Sequence, residues 1–165
     1  MADQFKYFIR ILKGLDEQKV DYILIGGVAV IFHGMERLTR DMDILVERDP
    51  NNIEHLRKAL HLIFEDPSIE EITLNELDNY PVIRYGTPNG FYIDIMTRLG
   101  DVAAYEDLEY EIIDYQDIKI RIGTPDTSYR LKKDTVRYQD KIDAMFLREL
   151  IKERKLNHPD LKESY

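Results

Sequence analysis

An apolar run that stops at two glycines is the feature that most constrains how this chain can fold. Residues 23–25 (Ile-Leu-Ile) carry no charge and are typical of a short buried strand. Gly26 and Gly27 follow, and glycine lets the backbone turn sharply and approach a ligand without a Cβ in the way. The apolar residues 28–32 then predict a helix. The segment therefore predicts a strand, a tight turn and a helix.

The glycine turn has a chemical interpretation as well as a structural one. The first N–H groups of a helix are free and its dipole favours negative charge, so a helix start is a natural anion site. On this interpretation Gly26 and Gly27 receive phosphate. An ordinary strand-to-helix turn uses a Gly-Gly pair equally well, and the glycines alone leave both interpretations open.

Two aspartates placed two residues apart are the second constraint. Residues 42–46 are largely apolar and β-prone, so Asp41 and Asp43 are predicted at the start of a strand. Side chains two apart on a strand point to the same face, so the carboxylates converge. They repel unless a cation lies between them, and such oxygens suit Mg²⁺ together with substrate phosphates. A solvated strand end explains a bare Asp-x-Asp as well.

A third carboxylate lies in a predicted hairpin. Residues 80–85 and 91–96 have strand patterns, and residues 86–90 (Gly-Thr-Pro-Asn-Gly) are a strong turn signal between them. Asp94 lies inside the second strand, where an acid is costly to bury without a partner. Its partner is either a base such as Arg84 across the hairpin or a metal ion shared with the two earlier aspartates.

Together these residues resemble the polymerase-β-like nucleotidyltransferase superfamily. The resemblance rests on Gly26-Gly27, on Asp41-x-Asp43 after a gap of thirteen residues, and on Asp94 in a later strand. Many members of that superfamily have Ser at the second glycine position, so Gly27 lacks one hydroxyl contact.

The stretch from Arg37 to Asp43 resembles a narrower branch, that of the minimal and abortive-infection toxin-like nucleotidyltransferases. Members often carry a later basic helix with a Lys and an Arg-x-Lys-Asp element. Here Lys132, Lys133 and the run Arg137-Tyr-Gln-Asp140 occupy a similar place, with Gln139 where a lysine is commoner.

The resemblance implies a metal site. Asp41 and Asp43 would hold the metal that carries the nucleoside triphosphate, and Asp94 would join them around a second metal. Mg²⁺ is the expected ion and Mn²⁺ an alternative, and the two ions of such sites stand about 4 Å apart. Asp94 is also implied to orient or deprotonate the acceptor hydroxyl.

The resemblance further implies contacts to the nucleotide. The two glycines would donate backbone N–H groups to the β- and γ-phosphates. Arg37 and one of Lys132 or Lys133 would neutralise the departing pyrophosphate, an electrostatic contribution that usually dominates such chemistry. The nucleotide- and phosphate-binding residues so implied are Gly26, Gly27, Arg37, Thr39 and Lys132.

The remaining patterns predict an α/β (α+β) fold with a mixed β-sheet core, flanking helices and further helices at the C-terminus. Apolar spacing predicts helices over 5–15 and 53–63 and strands near 69–74, 82–85, 91–96, 112–115 and 118–122. Four residues at helical spacing mark one face of a last, amphipathic helix: Tyr138, Ile142, Phe146 and Leu150.

We expect a single nucleotidyltransferase-like domain over 1–155. Its core is predicted at about 21–122 and its C-terminal helical part at about 125–155, with a polar tail at 156–165.

Composition narrows the class of protein. Of the 165 residues 44% are hydrophobic and 33% charged, and the apolar runs are too short to span a membrane. There is no cysteine, which excludes disulfides and thiolate metal sites. We therefore expect a cytoplasmic protein without membrane association.

Charge is unevenly distributed. The net charge of −9 argues against broad nonspecific binding to nucleic acid, which needs a cationic face. Residues 119–155 nevertheless hold 11 Lys or Arg against 6 Asp or Glu. This basic third either contacts triphosphate, tRNA or another polyanion, or is a solvated helix face that pairs with the acidic body.

The sequence predicts a metal-dependent nucleotidyltransferase that moves a nucleoside monophosphate from an NTP donor to a hydroxyl and releases pyrophosphate. A tRNA end, a protein side chain and a small molecule all remain open as acceptor, and a homodimer or partner protein is a way to complete its binding site. Two alternatives use the same residues. One is a catalytically idle nucleotide-sensing or toxin–antitoxin-type binding module, and the other is a metal-dependent phosphohydrolase.

Overall fold

The computed structural model describes the backbone of residues 2–157 and the side chains of residues 4–157. Its helices are α1 (Ala2–Glu17), α2 (Gly26–Phe32), α3 (Pro50–His61), α4 (Leu74–Asn79), α5 (Pro125–Lys132) and α6 (Tyr138–Asn157). Its strands are β1 (Tyr22–Ile25), β2 (Asp41–Val46), β3 (Ile83–Gly86), β4 (Tyr92–Met96), β5 (Arg98–Leu99), β6 (Ala103–Ala104), β7 (Tyr110–Tyr115) and β8 (Ile118–Gly123).

Six of these strands form one mixed sheet in the order β3-β4-β2-β1-β8-β7. The pairs β2–β4 and β1–β8 are parallel, and the other neighbours are antiparallel. The short strands β5 and β6 form a separate hairpin. The mixed sheet with flanking helices confirms the α/β prediction.

The first face of the sheet carries the main core, against which α1 and α3 pack. Alternate residues of each strand point to this face because the side-chain period of a strand is two. Fully burying one such aliphatic side chain contributes about 1.5–3 kcal/mol relative to leaving it exposed. Members of this core include Leu12, Leu15, Leu24, Met42, Ile44, Ile53, Leu56, Ile93, Ile95 and Ile120.

The opposite face is apolar at one end and acidic at the other. Ile23, Leu45 and Met96 belong to a second, smaller buried cluster. Asp43 and Asp94 lie two residues before Leu45 and Met96 and so share their face. The sheet therefore places the acids directly beside a buried, apolar surface.

The strand predicted over 69–74 is wrong. That segment is a 3-10 helix, Pro67–Glu71, followed by α4. Asp66 caps the first by accepting the Ser68 N–H, and Thr73 caps the second by accepting the Glu76 N–H. These two local caps outweigh the β-propensity of the Ile-Thr-Leu stretch.

The last helix is present, but its most buried residues are not the four apolar ones that mark its predicted face. Tyr138 is 79% exposed. The buried residues of α6 are Asp140, Asp143, Ala144 and Leu147, at positions i, i+3, i+4 and i+7. Two carboxylates begin this face because cations from elsewhere in the fold neutralise them. Of the predicted polar tail at 156–165, residues 156 and 157 are the end of α6, and residues 158–165 lie outside the described residues.

Helices α5 and α6 pack against each other, and both contact α2. This packing brings the basic C-terminal part of the chain over the glycine turn. Within residues 2–157, none of the helices combines the length and apolar character needed to cross a membrane.

Candidate active site

The turn between β1 and α2 requires glycine at its first position. Gly26 has a φ of +73°, a left-handed conformation that side chains rarely adopt. A Cβ there would also collide with the carboxylate of Asp43. Asp43 on β2 is the register partner of Ile25, the residue before Gly26. Backbone and acid are therefore in direct contact at this point.

The second glycine admits a guanidinium group. A Cβ at Gly27 would lie 3.0 to 3.2 Å from the guanidinium atoms of Arg37. The Arg37 side chain is only 12% exposed. The absent side chain at Gly27 thus gives a cation close access to the start of α2, where the free N–H groups lie.

The three predicted acids meet at the acidic end of the sheet. In the parallel pair β2–β4, Asp43 is the register partner of Asp94, and Asp41 precedes it on the same face. Burial, the charges of Asp94 and Asp41, and a hydrogen bond with Asp94 raise the pKa of Asp43 to about 7. A nearby cation would relieve this repulsion.

Arg84 is the partner that the structure shows for Asp94. Its Nε donates to one carboxylate oxygen at 2.9 Å and its Nη2 to the other at 3.0 Å, while Nη2 lies 3.4 Å from Asp41. The guanidinium also covers the Tyr92 ring, 4.8 Å from its centroid. In this arrangement no three His, Cys, Asp or Glu side chains within the described residues are placed to hold a metal ion together.

A fully buried carboxylate, Asp143, organises the cations. It accepts a hydrogen bond from Lys132 Nζ at 2.7 Å and another from Gln139 Nε2 at 2.9 Å. It also accepts a hydrogen bond from Arg37. Lys132 additionally donates to Asp140 at 2.9 Å. One acid on α6 therefore fixes two of the predicted phosphate-binding cations.

Lys132 and Lys133 are the two candidates for neutralising the pyrophosphate, and only Lys132 lies in the cavity. Lys132 is buried in the Asp140–Asp143 network, whereas Lys133 is exposed. Burial alone would raise the pKa of Asp140, but the hydrogen bond and charge of Lys132 outweigh it and hold that pKa below its ordinary value. Asp140 is therefore ionised at neutral pH.

Thr39 supports the entry into β2. Its Oγ1 accepts from the Asp41 N–H at 3.4 Å and lies 3.3 Å from the Asp41 carbonyl oxygen, to which it donates. These local contacts are typical of a hydroxyl that fixes a turn before a strand. They orient the loop that carries Arg37 and the first acid.

One cavity of about 480 Å³ unites these groups. Sequence reasoning missed the role of Asp143 in holding Arg37 and Lys132. All eight predicted residues line the cavity: Gly26, Gly27, Arg37, Thr39, Asp41, Asp43, Asp94 and Lys132.

Three solved structures with a similar fold carry the name of an adenylyltransferase, a nucleotidyltransferase or a nucleotidyltransferase-like protein. The lincosamide antibiotic adenylyltransferase LnuA, with lincomycin bound, is 16% identical with a TM-score of 0.56, over 91% of this chain and 98% of that one. An antigenic nucleotidyltransferase-like protein from Paracoccidioides brasiliensis is 17% identical with a TM-score of 0.54, over 98% and 92%. A putative nucleotidyltransferase (TM1012) from Thermotoga maritima is 14% identical with a TM-score of 0.52, over 92% and 94%.

At these identities the likeness shows the fold, which is that of a nucleotidyltransferase. A family model described as "Nucleotidyl transferase AbiEii toxin, Type IV TA system" matches residues 10–128. The chain belongs to this AbiEii nucleotidyltransferase family, and its general activity is nucleotidyl transfer. No curated protein matches the sequence.

Proposed function

We propose that this protein transfers a nucleoside monophosphate from a nucleoside triphosphate to a hydroxyl acceptor and releases pyrophosphate. One observation carries the proposal. A single cavity holds a glycine turn and two fixed cations beside three adjacent carboxylates. This arrangement matches a ligand whose phosphates need both positive contacts and carboxylate-bound metal.

The acids fit a divalent ion once Arg84 no longer pairs with Asp94. Three aspartates share one end of the sheet, and burial together with the charges of Asp94 and Asp41 raises the pKa of Asp43. Carboxylate oxygens are the ligands that Mg²⁺ takes together with substrate phosphates. Asp41 and Asp43 would hold the ion, with Asp94 joining them once Arg84 releases it. A bound Mg²⁺ would offset charge on the reacting phosphate.

The chain's own residues would bind and orient the triphosphate. Arg37 lies against Gly27 at the start of α2, and the free backbone N–H groups of that turn would receive phosphate. Arg37 and Lys132 are held by Asp143, so they are in place before the nucleotide arrives. Preorganised cations of this kind stabilise the charge of a departing pyrophosphate without first having to reorganise. Asp94 is the group available to orient the acceptor hydroxyl.

The setting of the reaction follows from the family. Its description as part of a type IV toxin–antitoxin system supports the proposal that the protein acts in the cytoplasm with a cognate antitoxin. Acceptor recognition by a second copy or a partner protein is part of the same proposal. The helices α5 and α6 contact the α2 end of the sheet, which supports a single domain over 1–155.

Calorimetric titration with ATP, CTP, GTP and UTP, each with and without Mg²⁺, tests the proposal. We expect binding that requires Mg²⁺ and that the Asp41→Asn variant loses by at least about tenfold, because a neutral amide cannot hold the ion as a carboxylate does. The matched control is Asp114→Asn, whose side chain is exposed and pairs with Lys119 on the edge hairpin. Absence of nucleotide binding by the unmodified protein would contradict the proposal.

Removing Arg84 should strengthen metal binding in the absence of nucleotide. Its side chain is 54% exposed, so its ion pair with Asp94 is screened by solvent and weak. Arg84→Met is therefore expected to lower the Mn²⁺ or Mg²⁺ dissociation constant by up to about fivefold, measured by calorimetry. Arg48→Met is the control, because Arg48 pairs with Asp78 outside the cavity. Unchanged or weaker metal binding in Arg84→Met would show that the guanidinium does not compete for the acids.

A further inference from the structure

The cavity has two chemically different ends. One end holds the acids and cations described above. The other is apolar and is formed by Ile25, Met96, Leu99 and Leu131. These side chains continue the acidic face of the sheet, since Met96 lies two residues beyond Asp94 on β4. A purely ionic ligand such as inorganic phosphate would leave this apolar wall unused.

A buried hydroxyl without a partner also lines the cavity. Ser128 is 1% exposed, and its Oγ is the one buried side-chain nitrogen or oxygen of the described residues that has no hydrogen-bond partner. The hydroxyls of Thr124 and Thr127 on the same turn are paired with each other, and Thr127 also donates to the Glu109 carbonyl. Buried polar groups are nearly always hydrogen bonded, so the Ser128 hydroxyl is available to a ligand.

The neighbours of Ser128 define the chemistry of that ligand. Residues three and four apart on a helix are adjacent, so Ser128 adjoins both Leu131 of the apolar wall and Lys132 of the cationic end. A ligand that uses all three contacts has an anionic part joined to a flat, largely apolar part with neutral hydrogen-bonding groups. A nucleotide has this composition.

We propose that the apolar end of the cavity binds the nucleoside half of the NTP donor, an inference that rests on the proposed function. The base packs on Ile25, Leu99 and Leu131, and the Ser128 hydroxyl forms a hydrogen bond with the base or the sugar. The triphosphate then extends toward Arg37 and Lys132. An acceptor molecule bound at this end instead is an outcome that the following experiment distinguishes.

The test compares nucleotides with inorganic tripolyphosphate. Calorimetry in Mg²⁺ would measure the four NTPs, the 2′-deoxy form of the tightest one, and tripolyphosphate, with the unmodified protein and Ser128→Ala. We expect Ser128→Ala to bind the preferred NTP about fivefold more weakly, the size of one neutral hydrogen bond, and tripolyphosphate within about twofold of the unmodified protein. If the hydroxyl contacts the 2′ oxygen of the sugar, Ser128→Ala should not weaken binding of the deoxynucleotide. If it contacts the base, Ser128→Ala should weaken binding of the NTP and of its 2′-deoxy form equally.

Two further variants fix the interpretation. Leu99→Ala removes part of the wall and should also weaken NTP but not tripolyphosphate, whereas Ser68→Ala, an exposed serine outside the cavity, should change neither. Equal losses for NTP and tripolyphosphate in Ser128→Ala would overturn the inference in favour of a phosphate contact. Unchanged affinity of Ser128→Ala for every NTP would also overturn the inference. The apolar end of the cavity would then be assigned to the acceptor.

The same data separate this inference from the proposed function. Suppose that the unmodified protein binds tripolyphosphate and all four NTPs, and that Ser128→Ala and Leu99→Ala bind each of them as tightly as the unmodified protein does. The inference then fails and the proposed function stands. If it binds neither NTP nor tripolyphosphate, the proposed function fails, and the inference fails with it.

Discussion

Asp43→Asn is expected to reduce nucleotidyl transfer by a factor on the order of 10³ while leaving the protein folded, because a bound metal supplies several kcal/mol of transition-state stabilisation. The substitution keeps the shape of the side chain and removes only its charge. Asp43 is the acid in contact with both the Gly26 backbone and Asp94, so its carboxylate is central to any ion held there. The rate of pyrophosphate release in the presence of NTP, Mg²⁺ and candidate acceptors measures the effect.

Stability provides the second readout for this variant. In the folded protein Asp43 is buried beside two like charges, which is unfavourable. Asn removes that repulsion, so the midpoint of thermal unfolding without metal should stay level or rise, while the increase that Mg²⁺ causes in the unmodified protein should disappear. Asp114→Asn again serves as the control. Transfer within tenfold of the unmodified rate would rule out the metal mechanism.

The glycine turn and the paired aspartates were predictable because their signals are local. A strand has a side-chain period of two, so Asp41 and Asp43 share a face whatever the rest of the chain does. Placing Asp94 beside them required more, since it depends on the parallel pairing of β2 and β4 across about fifty residues. The hairpin signal placed Arg84 opposite Asp94 as one of two partners, and the structure shows that pairing.

Asp143 was not predictable from its own segment. An aspartate on a charged helix usually faces solvent, and the surrounding residues give no contrary signal. It is buried because Arg37 approaches from 106 residues earlier in the chain and Lys132 from the preceding helix. The unpartnered Ser128 hydroxyl is equally invisible in the sequence, because the lack of a partner is a property of the packed structure alone.

Asp143→Ala is expected to lower the free energy of unfolding by about 3–5 kcal/mol, because it leaves Arg37 without its buried counter-charge and Lys132 with Asp140 alone. We also expect transfer to fall by about a hundredfold under conditions where the variant is folded, since Arg37 and Lys132 lose the contact that positions them. Chemical denaturation and pyrophosphate release measure the two effects. Glu149→Gln, an exposed change on the same helix, should alter neither.

A double variant separates positioning from stability. Arg37→Met with Asp143→Leu removes both charges of one buried pair, and replacing such pairs by apolar groups often restores stability. Lys132 keeps Asp140 as its partner in that protein. We therefore expect stability to recover by about 1–3 kcal/mol relative to Asp143→Ala while transfer stays low, because the phosphate-facing guanidinium is gone. If transfer recovered along with stability, the Arg37–Asp143 pair would be a structural contact only. The glycine turn would then have to bind phosphate without the Arg37 guanidinium.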